Sequence, residues 1–186
     1  QTDYIDSRRA EFVFSRSGQV NQQLTANASL HVLRERWAYA LPNGDDGTPA
    51  PVDYRYASFV YPALRAEYVG VDDRVFPRRG GAIDVEVRGG LRGAGSDADF
   101  SQLHADASWF LGVGASDRLL LRGEVGHTFT NALVDMPPSL RYYAGGARSI
   151  RGYCEREVSP RVEASHGFFS VGAMNLITAR PEYEHY

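Results

Sequence analysis

Apolar and polar residues alternate one for one through most of this chain. In residues 3–16, Ala10, Phe12 and Phe14 share one parity, and Arg9, Glu11 and Ser15 share the other. Residues 21–33 repeat the pattern, with Leu24, Ala26, Ala28, Leu30 and Val32 against Thr25, Asn27, Ser29 and His31. The apolar parity then shifts to Leu33, Trp37, Tyr39 and Leu41, which predicts a bulge near Leu33. Residues 54–69 return with Tyr54, Tyr56, Val60, Leu64, Ala66 and Tyr68 on one face. Residues 82–93, 103–113 and 119–128 alternate in the same way, as does a last segment carrying Phe169, Val171, Ile177 and Tyr183. A period of two sends successive side chains to opposite faces of a strand, whereas a helix repeats at three and four. The pattern therefore predicts seven antiparallel strands and an all-β fold.

The breaks are rich in Gly, Pro and Asp, the residues that make turns. "RSGQ" at 16–19 and "GASDR" near 115 are short, while 41–53 and 131–166 are long. Within the last of these, "PSLRYYAGGARSIRGYCEREVSPR" at 138–161 resists any strand reading.

A soluble β-sandwich would also alternate, so the surroundings of the apolar face must be argued separately. Ten residues rise about 3.3 Å each and, tilted about 45°, cover roughly 23 Å, close to the apolar band of an outer-membrane barrel. The polar faces carry unlike charges in mid-strand (Asp84, Glu86, Arg88; Arg118, Arg122, Glu124), as a water-filled lumen would. Short turns alternating with long loops match periplasmic and extracellular connections. Trp37, Tyr39, Tyr54 and Tyr56 stand near strand ends, where an interfacial aromatic girdle is expected. An antiparallel up-and-down transmembrane barrel segment fits best. Seven strands leave two open edges, which hydrocarbon does not tolerate; the expectation is a partial barrel, with an exported protein's leader lying outside this sequence.

Composition narrows the chemistry. A net charge of −3 offers no electrostatic case for nucleic acid, and all 20 basic residues are arginine. Cys154 is the single cysteine, so no disulfide framework is expected. The sequence contains no G-x-S-x-G, H-E-x-x-H or P-loop motif, and Gly112-Val113-Gly114 meets Asp117 where a dinucleotide fingerprint needs glycine. The five histidines are scattered, and Asn43, Asp45 and Asp46 read as a solvated loop. No catalytic residue, metal or cofactor is implied, and no enzyme is expected.

At 141–161 the residues resemble the signature loop of the outer-membrane assembly and secretion superfamily, which includes BamA, TamA and the two-partner secretion transporters. Its pattern of an aromatic, Ala-Gly-Gly, polar residues, then Ile-Arg-Gly-Tyr is met by Tyr143, Ala144, Gly145, Gly146, Ile150, Arg151, Gly152 and Tyr153. The turn "DDRVFPRRG" at 72–80 is similar to a periplasmic turn of that family, and "PPSLRYYAGG" and "PEYEHY" look closest to TamA-type members.

The resemblance implies that 1–186 is part of a sixteen-stranded C-terminal barrel, with 131–166 folded into the lumen and the periplasmic POTRA domains absent from it. It implies a loop lock in which Arg151 grips a wall carboxylate, Gly152 allows close approach, and Ile150 and Tyr153 pack the hairpin tip. Tyr143, Gly145 and Gly146 would support the loop. The resemblance places the acid that pairs with the loop arginine on a further strand, so Glu182 and Glu184 are second-rank wall partners, while Arg141, Arg148 and Arg156 could reach the wall or solvent. The implied partners are unfolded outer-membrane protein clients, outer-membrane lipid and, for a TamA-like protein, a TamB-like periplasmic bridging protein. The implied location is the bacterial outer membrane. A passive porin, the rival, would have no use for the Ile-Arg-Gly-Tyr loop.

Overall fold

The structure, a computed structural model, describes residues 4–40, 53–146, 149–150, 153, 156–164 and 167–186. Seven strands form one antiparallel sheet, in the order β1 (Tyr4–Gln19), β2 (Leu24–Ala40), β3 (Arg55–Val71), β4 (Arg79–Gly90), β5 (Phe100–Val113), β6 (Asp117–Phe129) and β9 (Asn175–His185). Two four-residue strands, β7 (Arg161–Ala164) and β8 (Gly167–Ser170), pair only with each other. Each strand of the large sheet neighbours the next in sequence, the up-and-down order expected. Among the described residues no helix is long and apolar enough to cross a membrane.

Short connections at 20–23, 72–78 and 114–116 lie at one end of the sheet, and 91–99 and 130–174 at the other. The first turn is therefore at 20–23 rather than 16–19. Asn21 makes it, because its carboxamide oxygen accepts the amides of Gln23 and Leu24, both at 2.8 Å, and so caps the chain reversal.

The alternation assigns the two faces. On the outer face, Phe12, Phe14, Leu64, Val87, Trp109, Val125 and Ile177 are all at least 47% exposed. On the inner face lie Arg65 with Asp84 (2.7 Å), Arg88 with Gln102 (2.8 Å) and His104 with Glu124 (2.9 Å). Charges on a strand need water or each other, and here adjacent strands supply both partners.

Two sequence expectations need correction. Register runs without interruption through Leu33 on both sides of β2, Leu33 pairing with Glu11 and with Phe59, so there is no bulge. Leu33 and Trp37 instead keep the inner parity of His31 and are 1% exposed, beneath Met136 and Leu140 of the 130–174 connection. Trp37 is thus core and not girdle, and Tyr39, also inward, packs against the same cluster. The second correction concerns 169–174. Phe169 and Ser170 pair with Val162 and Arg161 in the small hairpin, and the seventh strand starts at Asn175. Beyond that point β9 follows β6 without a break, Pro181 opposite Leu121. Pro181 costs a ladder donor, which is tolerable at a sheet edge, and β9 is an edge among the described strands.

A third feature closes part of an edge. The Arg55–Pro62 half of β3 extends past the end of β4, and residues 91–99 fold back to cover it. Ser58 N–H donates to the Asp97 carboxylate (2.7 Å) and Val60 N–H to Ser96 Oγ (3.0 Å).

Candidate functional site: a loop held on the inner wall

The 130–174 connection begins as two single-turn 3-10 segments, Leu133–Asp135 and Pro138–Leu140. Pro138 opens the second with its backbone angle already set and no donor to waste. These turns lower Met136 and Leu140 onto a cluster of Leu33, Trp37, Phe59, Tyr61 and Phe100 from three strands, β2, β3 and β5. Full burial of side chains of this size is worth about 1.5–3 kcal/mol each, so the contact anchors the loop on the inner face.

Arg141 ties the loop to itself and to the wall. It is 8% exposed. Its Nε and Nη2 donate to Met136 O (2.9 and 2.6 Å), Nη2 also to Val134 O (3.1 Å), and Nη1 to Val171 O (2.7 Å) and Tyr39 Oη (3.0 Å). A guanidinium presents five N–H donors in a fixed fork. Here that fork joins the start of the loop, its end and strand β2. The acceptors are three carbonyl oxygens, which take four of the five bonds, and one phenol, so the charge is shared among dipoles. Sequence reading left Arg141 between wall and solvent, because its acceptors are backbone oxygens that no residue type announces.

Three further contacts complete the docking. Gln102 of β5, 1% exposed, donates from Nε2 to Leu140 O (2.6 Å) and to Thr128 Oγ1 (2.7 Å) while its Oε1 accepts from Arg88. Tyr142 donates its O–H to Leu103 O (3.1 Å) and stacks on His104 at 5.9 Å. Ser139 Oγ donates to the buried Glu35 carboxylate.

Beyond Tyr142 the chain runs as a short ladder. Tyr142 exchanges backbone bonds with Ala173 (3.1 and 2.8 Å) and Ala144 with Val158 (both 2.9 Å). Gly145 and Gly146 then turn it at φ 116° and 88°, a region that only glycine enters freely. Gly172, at φ 79°, would put an added Cβ 2.7 Å from Arg141 Cβ. Burial pushes the Tyr143 phenol up to about 12, and the Arg156 guanidinium lies 5.5 Å from its ring. Arg156 itself is exposed.

At the tip, Gly146 N–H donates to Tyr153 O (3.0 Å). Ile150 and Val158 pack against Tyr142, Ala144 and Leu176, while Tyr153 is 52% exposed. Arg148, Arg151, Gly152 and Cys154 lie outside the described residues. Beneath the tip, between the loop and strands β5, β6 and β9, is a polar cavity of about 580 Å³ lined by His104, Asp106, Glu124, Tyr143 and Arg180 among others.

Of the two candidate wall acids, Glu184 is held by Arg118, whose Nε stands 2.6 Å away. Glu182, on the same inner face one turn of the pleat nearer the loop, is beside Arg180 at 2.7 Å. Arg118 also donates to Pro77 O and lies 4.5 Å from the Phe76 ring, so Glu184 belongs to the short-turn end. Sequence reading missed a row of acids that register aligns across the wall, Asp84 opposite Asp106 and Asp106 opposite Glu124. Among the described residues no group of three or more His, Cys, Asp or Glu is arranged to hold a metal ion.

This chain is similar to known proteins in sequence and in fold. The family model for the Omp85 superfamily domain matches residues 63–183. Among solved structures, BamA from Haemophilus ducreyi lacking POTRA domains 1–3 superimposes with a TM-score of 0.75 at 15% identity, over 97% of this chain and 40% of that one. This chain thus spans well under half the length of that relative, and at such identity the likeness is one of fold.

Proposed function

This chain belongs to the Omp85 superfamily and is a β-barrel segment of the bacterial outer membrane, and on that premise we propose that it serves in the assembly or transport of outer-membrane proteins. The observation that carries the reading is the loop of 130–174, held on the inner wall by Arg141, Gln102 and Tyr142. A barrel whose wall must open to clients gains a brace that keeps the remaining strands in register.

Within that reading, Ile150, Arg151, Gly152 and Tyr153 form the lock, and Arg151 engages a wall carboxylate through two parallel hydrogen bonds. Glu182 is the favoured partner of the two candidates by position, since it stands nearer the loop whereas Glu184 is at the short-turn end with Arg118. Tyr143, Gly145 and Gly146 shape the approach. The clients are unfolded β-barrel proteins of the autotransporter type, and a TamB-like periplasmic partner is the bridging protein. "PPSLRYYAGG" supports the TamA-like choice over a general BamA-like insertase or a two-partner secretion transporter. The work is strand pairing and insertion, without a covalent step.

The test places Arg151→Ala and Arg151→Lys in the intact protein and follows surface display of an autotransporter client. Display falls several-fold in both variants, with the barrel still folded by its heat-modifiable mobility, because lysine cannot make the bidentate contact. Normal display with Arg151→Ala removes the lock. Loss of all barrel clients, rather than a subset, turns the reading from TamA-like to BamA-like.

A further inference from the structure

The outer face is apolar across its middle, but not at the long-connection end of β1 and β2. Down this face, Phe12 pairs with Val32 and Phe14 with Leu30. The next residues outward are arginines. Arg34 stands opposite Ala10 and Ser58, and Arg36 is directly opposite Arg8 on one side and Tyr56 on the other. Directly opposed residues have Cβ atoms about 4.5–5.5 Å apart, and same-face neighbours along a strand follow at about 6.6 Å. Three guanidinium groups are thereby gathered just beyond the apolar band.

Like charges set directly opposite each other destabilise a sheet, and the one acid beside them on the outer face of these strands, Asp6, leaves an excess of positive charge. None of the three forms an ion pair among the described residues. Arg36 lies 4.2 Å from the Tyr54 ring. The nearest outer-face acid, Asp6, accepts the Tyr54 O–H (2.9 Å), and Asp97, beside Ser58, accepts its amide (2.7 Å). Tyr56, 62% exposed, marks the same level as an interfacial aromatic. The outer face at this end of β5, β6 and β9 offers Leu103, Phe129 and Ile177 instead. At the short-turn end Arg16 and Arg79 are on separate strands, and Arg79 borders a turn in which Arg74 and Arg78 are matched by Asp72 and Asp73.

We propose that Arg8, Arg34 and Arg36 form a binding site for a lipid carrying two phosphates on a sugar headgroup, the glycolipid of the outer leaflet. A planar guanidinium meets a phosphate through two parallel bonds and is weakly hydrated, so it works at a membrane interface. Three such groups at two depths match two phosphates on one headgroup better than a single phosphodiester. The acyl chains then lie along Phe12, Phe14, Leu30 and Val32. The site rests on the outer-membrane location alone and is independent of the transport reading.

The test is native mass spectrometry of the intact protein in detergent, with lipid A as the probe and monophosphoryl lipid A and phosphatidylglycerol as competitors. Wild type retains the bisphosphorylated form preferentially. The triple variant Arg8→Gln, Arg34→Gln, Arg36→Gln weakens that binding by about tenfold or more, whereas Arg79→Gln leaves it unchanged. Should the triple variant lack the heat-modifiable mobility of a folded barrel, Arg8→Gln, an exposed residue in no ion pair among the described residues, is read in the same assay and weakens binding severalfold. Unchanged binding in the folded variant, equal loss with Arg79→Gln, or equal retention of phosphatidylglycerol by wild type overturns the proposal.

Discussion

The ring of Tyr142 occupies the space that a side chain on Gly126 would need. A Cβ added at Gly126 would stand 2.7 Å from Tyr142 Cζ, so β6 presents a glycine-floored seat to the loop. Gly126→Ala must displace Tyr142, and overpacking of this kind costs roughly 1–3 kcal/mol. The expected result is a loop that exchanges its Tyr142 and Ala173 amide protons faster while the β5–β6 ladder keeps its protection. Hydrogen exchange read by mass spectrometry separates the two.

Arg141→Ala removes the fork that joins Met136, Val171 and Tyr39. It leaves buried carbonyl groups without donors, and such losses amount to about 3 kcal/mol, near a hundredfold in loop opening. Arg141→Lys recovers only part, because one ammonium cannot reach acceptors on both sides of the loop. Limited proteolysis between Leu140 and Pro160 reports the opening directly. Equal cleavage of wild type and Arg141→Ala removes the stapling role.

Phe59 and Phe12 lie on opposite faces and should behave oppositely. Phe59 is fully buried under the loop, whereas Phe12 is 69% exposed on the outer face. Phe59→Ala empties a packed site and costs about 3–5 kcal/mol of loop docking. Phe12→Ala leaves docking unchanged. Loop protection measured for both variants checks the assignment of faces, and equal effects would contradict it.

The turn at 72–78 should soften in acid. The Asp72 carboxylate accepts the amides of Arg79 (3.0 Å) and Arg78 (2.9 Å), which hold it below the usual carboxylate range. Asp73 is lowered in the same way by the amides of Phe76 (3.0 Å) and Val75 (2.7 Å). A depressed folded pKa contributes order that is complete above the unfolded value of about 3.9 and is lost as pH falls through the folded one. Amide exchange at Val75, Phe76, Arg78 and Arg79, corrected for intrinsic rates, should therefore be protected at pH 7 and lose protection only below about pH 4. Asp72→Ala should remove the protection of Arg78 and Arg79 at every pH.

The sequence by itself determined the seven strands, their up-and-down order and their outer face. A period of two is a local property: an outward position at Phe12, Val87 or Ile177 meets apolar surroundings wherever its strand lies in the sheet. The glycine pair Gly145-Gly146 entered through the family resemblance, and the structure supplies its local reason, a turn at positive φ. The charged positions of the inner face were legible too, but not the part of it that the loop covers. Leu33 and Trp37 break the polar parity of β2 because a loop about 100 residues later sits on them, and sequence reading took that parity change for a bulge. Arg141 is buried for the same nonlocal reason, its Tyr39 contact spanning 102 positions. Which residues of a wall become core depends on what is brought to rest against it, and only the tertiary structure decides that.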